Sequence, residues 1–139
     1  MTTLNIPNMD HRSETMLAHV HPDLARVIRA TAQIPQPFVV TYGLRTVADE
    51  AKMVATHHST TMHSRHLANA DGFSCAVDVT PLIAGVLSFA QGHEAAIYGA
   101  VAAQIKAAAA ALNIPIEWGG DWKTFKDWGH FQLPWKVYP

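Results

Sequence analysis

The chain has one cysteine, Cys75, so no internal disulfide can staple it and a disulfide-framed secreted scaffold is excluded. Cys75 itself is expected to act as a small buried apolar side chain rather than as a nucleophile. An excess of one charge sign is also missing: 10 Lys and Arg stand against 11 Asp and Glu, a formal charge of −1 with His neutral. That balance gives no electrostatic case for a nucleic-acid partner or an anionic membrane surface. No basic segment followed by an apolar run opens the sequence, so no signal peptide is expected. No apolar stretch is expected to reach the roughly 20 residues that cross a bilayer. The expectation is therefore a chain that folds in a cytoplasm and, if its substrate lies outside the membrane, depends on another agent for release. The HExxH signature of many zinc peptidases is absent as well.

What is present fits one domain over residues 1–139, since 49% hydrophobic residues supply one ordinary core. After a polar lead-in, Met16, Leu17 and Val20, then Leu24, Val27 and Ile28, follow helical spacing on either side of Pro22. Two short helices meeting near His21-Pro22 are expected, because Pro suits a first turn and breaks an interior. Phe38 to Tyr42 is β-branched and aromatic and reads as a strand closed by Gly43. Thr46 is the expected N-cap of a helix from Val47 to about Ala55, with Asp49 and Glu50 in its first turn. Residues 56–75 lack periodicity and read as a long loop. Ala76 to Thr80 reads as a short strand stopped by Pro81, and residues 91–112 as a helix ended by Asn113 and Pro115. Residues 114–118 and 129–133 read as further strands. Strands and helices without regular alternation point to an α+β fold with a small, mainly antiparallel sheet and flanking helices.

Nine histidines are many for this length, and most are expected to be solvated loop residues, among them His57, His58 and His63. Four residues stand apart: His66, Asp78, His130 and Asp127. Catalytic zinc sites use two neutral imidazoles and one carboxylate and leave a fourth position for water. If the strand carrying Asp78 neighbours the strand carrying His130, side-chain alternation lets both converge with His66 on one face. Asp127, three residues before His130, would then stand near the water, where a carboxylate can move protons. Spacing alone leaves the alternative open that His66 is a loop residue, Asp78 an edge carboxylate and His130 a packed strand residue.

The motifs carry more than the spacing. Ser64-Arg65-His66, Ala76-Val77-Asp78 and Asp127-Trp128-Gly129-His130 resemble the S-x-H, A-[IV]-D and [DE]-x-x-H motifs of the zinc D-alanyl-D-alanine carboxypeptidase superfamily. Val20-His21-Pro22-Asp23-Leu24 and Tyr42-Gly43-Leu44-Arg45-Thr46 resemble its V-x-P-[DE]-L and G-x-R-[ST] segments. Within that superfamily the chain is most similar to phage L-alanyl-D-glutamate peptidase endolysins. An Asp at position 127, where many carboxypeptidase members use Glu, favours that branch. The resemblance implies the carboxypeptidase/hedgehog-like fold, a Zn2+ ion held by His66, Asp78 and His130, and Asp127 as catalytic acid/base. It implies that Arg45 faces the substrate, a peptidoglycan stem peptide, where a guanidinium fork suits a carboxylate or a developing oxyanion. It implies host lysis after release by a separate membrane-permeabilising protein. A monomer is expected.

One departure from the pattern lies between the first two ligands, where residues 67–77 form a longer spacer than usual, the extra residues falling around 69–74. A longer loop is thermodynamically cheap. It makes Asp71 a rival to Asp78, but Asp71 precedes Gly72 and reads as a turn residue. Ser64 is expected to hydrogen-bond within the site or to substrate. The four tryptophans, Trp118, Trp122, Trp128 and Trp135, are expected mainly to pack, with Trp128 the best placed to line the site. A D-alanyl-D-alanine carboxypeptidase is the alternative of the same chemistry, and a non-catalytic zinc-stabilised binding module the alternative of another class.

Overall fold

The computed structural model describes residues 9–56 and 64–139, so the expectations for the first eight residues, His57, His58 and His63 lie outside the described residues. Two short helices come first. Asp10 caps α1 (His11–Leu17) by accepting from Ser13 N–H at 2.8 Å. His21 caps α2 (Pro22–Ala30) through Nδ1, with Pro22 in the first turn as expected. Leu24, Ala25, Val27 and Ile28 form the buried stripe of α2, the spacing of a core-facing helix.

The sheet is antiparallel throughout its named pairs. Strands β1 (Phe38–Tyr42), β2 (Ala76–Ile83), β4 (Glu117–Trp118) and β5 (His130–Gln132) lie in the order β1-β2-β5-β4, and β3 (Val86–Leu87) forms a hairpin on the far end of β2. Between β1 and β2 runs helix α3 (Val47–Ala55), whose Thr46 cap accepts from Asp49 N–H at 3.0 Å as the sequence predicts. Helix α4 (Glu94–Leu112) packs on α2 and β2. The hydrophobic core joins Leu17, Leu24 and Ile28 to Val40, Val77, Val101, Ile105 and Phe131.

Several boundaries differ from the sequence reading for identifiable reasons. Pro81 does not stop β2. It stands opposite Phe38, whose N–H is turned to Gln33 Oε1 at 2.7 Å, while Leu82 N–H reaches the Pro37 carbonyl at 2.9 Å. The N–H that Pro81 lacks is therefore not one the β1 ladder uses. Helix α4 begins at Glu94 rather than 91, because Ala90 and Gly92 hold left-handed backbone at φ 53° and 85°. Its end agrees, with Asn113 left-handed at φ 59°. Only Glu117 and Trp118 of residues 114–118 pair in the sheet. The expectation that no stretch would be long enough to cross a bilayer also needs correcting: α4 has 19 residues and passes that test by length and composition. Here one face of it, with Val101, Ala102, Ile105 and Ala109, enters the hydrophobic core. Gln104 donates to the Ala32 and Gln36 carbonyls, and Lys106 pairs with Asp121 at 2.7 Å.

Candidate metal centre

Strand pairing builds the site. Asp78 on β2 is directly opposite His130 on β5 and, on its other side, opposite Tyr42 of β1. A bulge at Thr41 interrupts the β1 ladder there, and Thr41 Oγ1 donates to the Asp78 carbonyl at 3.2 Å. His66 arrives from a turn. Its N–H donates to Ser64 Oγ at 3.1 Å, and its carbonyl accepts from Arg45 N–H at 2.8 Å. These bonds join the 43–45 segment to the 64–66 turn and bring Arg45 beside the centre. Gly43 permits this, since a Cβ there would lie 2.6 Å from the Met16 carbonyl oxygen.

The ligand atoms of His66, Asp78 and His130 lie within 4.8 Å of one another. Hydrogen bonds on the far side of each ring fix which nitrogen faces inward. His66 Nδ1–H donates to the Gly43 carbonyl at 2.8 Å, which leaves Nε2 with a bare lone pair 3.2 Å from Asp78 Oδ1. His130 Nε2–H donates to Gln132 Oε1 at 2.7 Å, and Gln132 in turn donates to Glu117 at 2.9 Å. That leaves His130 Nδ1 bare, 3.4 Å from the same Asp78 oxygen. His66 Nε2 and Asp78 Oδ1 are both buried without a hydrogen-bond partner. Lone pairs facing one another in a buried place repel unless a cation stands between them. The donor set of two imidazoles and a carboxylate, with outer hydrogen bonds orienting both rings, fits a zinc ion.

The same crowding displaces the titrations of the metal-free chain. Burial pushes the Asp78 carboxyl up, but the His66 and His130 rings beside it outweigh this and hold Asp78 well below the usual carboxylate range. Burial lowers the His130 imidazole, yet Asp78 and Gln132 raise it on balance. Asp127 is different. Burial and the negative charge of Asp78 push its carboxyl up, against the opposing pull of His130, His66 and Arg45. Its Oδ2 stands 3.8 Å from His130 Nδ1, and its side chain keeps 42% of its exposure, so it flanks the centre without closing it.

Of the other sequence-predicted residues, Arg45 lies at the site but its guanidinium is already engaged. Its Nη1 donates to Glu50 Oε1 at 2.7 Å, and its Nη2 is 3.8 Å from Asp78 Oδ2. Glu50, read from the sequence as a first-turn acid, is fully buried and serves instead to hold Arg45. Ser64 spends its oxygen on the His66 turn. Trp128 is half-buried and lines a cavity of about 500 Å³ that opens beside Asp78 and Asp127. Asp71 is exposed in a turn organised by Asn69, whose Oδ1 accepts from Asp71 and Phe73 N–H, and it is not part of the cluster. Cys75 is buried, as expected. Trp122, expected mainly to pack, has its ring centroid 5.1 Å from that of His130, and one residue was not singled out by the sequence: Tyr98, which lines the cavity from α4.

Comparisons with known proteins show what the chain is similar to. Over 120 residues the chain is 29% identical to the L-alanyl-D-glutamate peptidase of Escherichia phage T5, covering 84% of this chain and 82% of that one. The crystal structure of the Serratia marcescens L-Ala D-Glu endopeptidase ChiX superposes with a TM-score of 0.80 at 43% identity, covering 93% of this chain and 91% of that one. The phage L-alanyl-D-glutamate peptidase family matches residues 7–131. With a match over most of its length, the chain belongs to the phage L-alanyl-D-glutamate peptidase family.

Proposed function

We propose that this chain is a zinc peptidase that hydrolyses the L-alanyl-D-glutamate amide bond of peptidoglycan stem peptides. The observation that carries the reading is the pair of buried, unpartnered atoms, His66 Nε2 and Asp78 Oδ1, facing each other beside His130 Nδ1 in a member of this family. His66, Asp78 and His130 would hold the ion, which when bound would supply Lewis acidity to a carbonyl oxygen and to water. Asp127 takes the proton from that water and passes it to the leaving amine. Its Oδ2 is suited to that task by place, 3.8 Å from His130 Nδ1 and flanking the centre without closing it.

Gln132 and the Gly43 carbonyl keep the two rings turned inward. Arg45, held by Glu50, presents positive charge next to Asp78 and toward the substrate. Ser64 and Trp128 border the bound peptide. The chain acts as a monomer on the cell wall, made in the host cytoplasm and reaching its substrate through a separate permeabilising protein, and the outcome is host lysis.

Purified peptidoglycan digested with the zinc-loaded protein tests the reading. New N-terminal D-glutamate identified by mass spectrometry is the expected product. Release of free D-alanine instead would make the chain a carboxypeptidase, and no new termini with zinc bound would make it a binding module.

A further inference from the structure

Among the hydroxyl groups around the cavity beside the centre, Tyr98 is unusual. Thr41 and Thr80 are partnered with each other at 3.3 Å, and Tyr42 is 57% exposed to solvent. Tyr98 is 5% exposed, yet among the described residues no hydrogen bond to the protein engages its hydroxyl. The hydroxyl is not among the buried unpartnered atoms, so it is open to solvent on the cavity side rather than sealed in the core. Tyr98 also stands outside the hydrophobic core cluster and lines the cavity together with Asp78, Asp127 and Gly129. Its ring passes close to the chain that carries the ligands: a Cβ on Gly129 would lie 3.5 Å from Tyr98 Cε1.

We propose that Tyr98 is a further catalytic residue, whose hydroxyl donates a hydrogen bond to the oxygen of the scissile carbonyl. The inference rests on the peptidase reading above. In the reaction the water oxygen bonds to the carbonyl carbon and the carbon–nitrogen bond breaks. The water proton travels through Asp127 to the leaving amine. The phenol keeps its own proton throughout, and its hydrogen bond strengthens as the carbonyl oxygen gains negative charge. Burial, followed by the charges of Asp127, Asp78 and Glu94, pushes the phenol above its ordinary value, which keeps it a donor across the neutral range. The position is well suited to this part because α4 is the long core helix, so the donor is held on a rigid element.

The test is Tyr98→Phe, which keeps the ring. Wild-type protein is assayed in parallel on a soluble L-alanyl-D-glutamate stem peptide. Removing a donor of this kind lowers kcat by about 100-fold, with KM little changed. Melting temperature and zinc content should match the wild type. A phosphinate analogue of the scissile bond, which mimics the tetrahedral oxygen arrangement, should bind the variant more weakly by about the same factor as kcat/KM falls. A Tyr98→Phe enzyme with wild-type kcat, or one with undiminished phosphinate affinity, overturns the proposal. So does a defect confined to KM. If the wild type itself does not cleave the peptide, the peptidase reading fails instead, and the two failures are thereby distinguished.

Discussion

Replacing Glu50 with Ala removes the buried partner of Arg45 and leaves a guanidinium that is only 13% exposed. Breaking a buried pair by deleting one member destabilises by about 3–5 kcal/mol, because the remaining charge stays desolvated. Two features bring the expectation to the lower end, about 3 kcal/mol on that scale. Arg45 keeps some contact with water, and Asp78 Oδ2, 3.8 Å from Nη2, offers a substitute partner. For a chain of this length such a loss lowers the melting temperature by about 10 °C. The substitute has a functional consequence. An Arg45 that moves onto Asp78 competes for the carboxylate that would hold the ion, so Glu50→Ala should weaken zinc binding as well as stability. Glu50→Gln, which retains an oxygen for the guanidinium, should fall between the two. Urea unfolding followed by circular dichroism, with chelator and with saturating zinc, measures the first effect, and competition against a chromogenic chelator measures the second. A Glu50→Ala protein within about 0.5 kcal/mol of wild type, the range of ordinary surface changes, would refute the reasoning.

Asp127→Asn should abolish turnover, a fall of about 100-fold or more from loss of the general base, while the zinc content stays at the wild-type level by metal analysis. Loss of the metal would make Asp127 a ligand instead. Gly129→Ala should cripple folding or activity, because the added Cβ would lie 2.5 Å from the Val79 carbonyl oxygen in the strand pair that aligns Asp78 with His130; soluble, fully active protein would contradict this. Tyr138 donates to Asp23 Oδ2 at 2.7 Å, and burial followed by that bond pushes its phenol from 10.0 up to about 12. A raised value means that the folded chain favours the protonated phenol. The stability it contributes is complete below pH 10 and is lost as pH rises toward 12, so Tyr138→Phe should show a smaller decline over that window in denaturant titrations.

Much of the site was legible because its residues sit in local motifs. Asp78 and His130 fall on strands whose β-branched or apolar neighbours announce them, and Thr46 and Asn113 mark helix ends by chemistry that acts over a few residues. The choice of Asp78 over Asp71 also followed from local context, a strand against an Asx-type turn. What the sequence hid depends on distant pairing. Glu50 has the position of a helix-dipole acid, and only the approach of Arg45 across five residues and a turn converts it into a buried partner. Pro81 looks like a terminator until the ladder shows which of its sides carries hydrogen bonds. Tyr98 lies on an alanine-rich helix with no motif around it, and it joins the site only because α4 packs against β2.

His66 Nε2, His130 Nδ1 and Asp78 Oδ1 are expected to share one divalent cation. Crystals of the zinc-loaded protein, with data collected across the zinc absorption edge, test it directly. One anomalous peak is expected about 2.0–2.2 Å from each of those three atoms, with Asp127 close by but outside bonding distance. No peak at that place, or a peak held by Asp71 with Asp78 turned away, would contradict it.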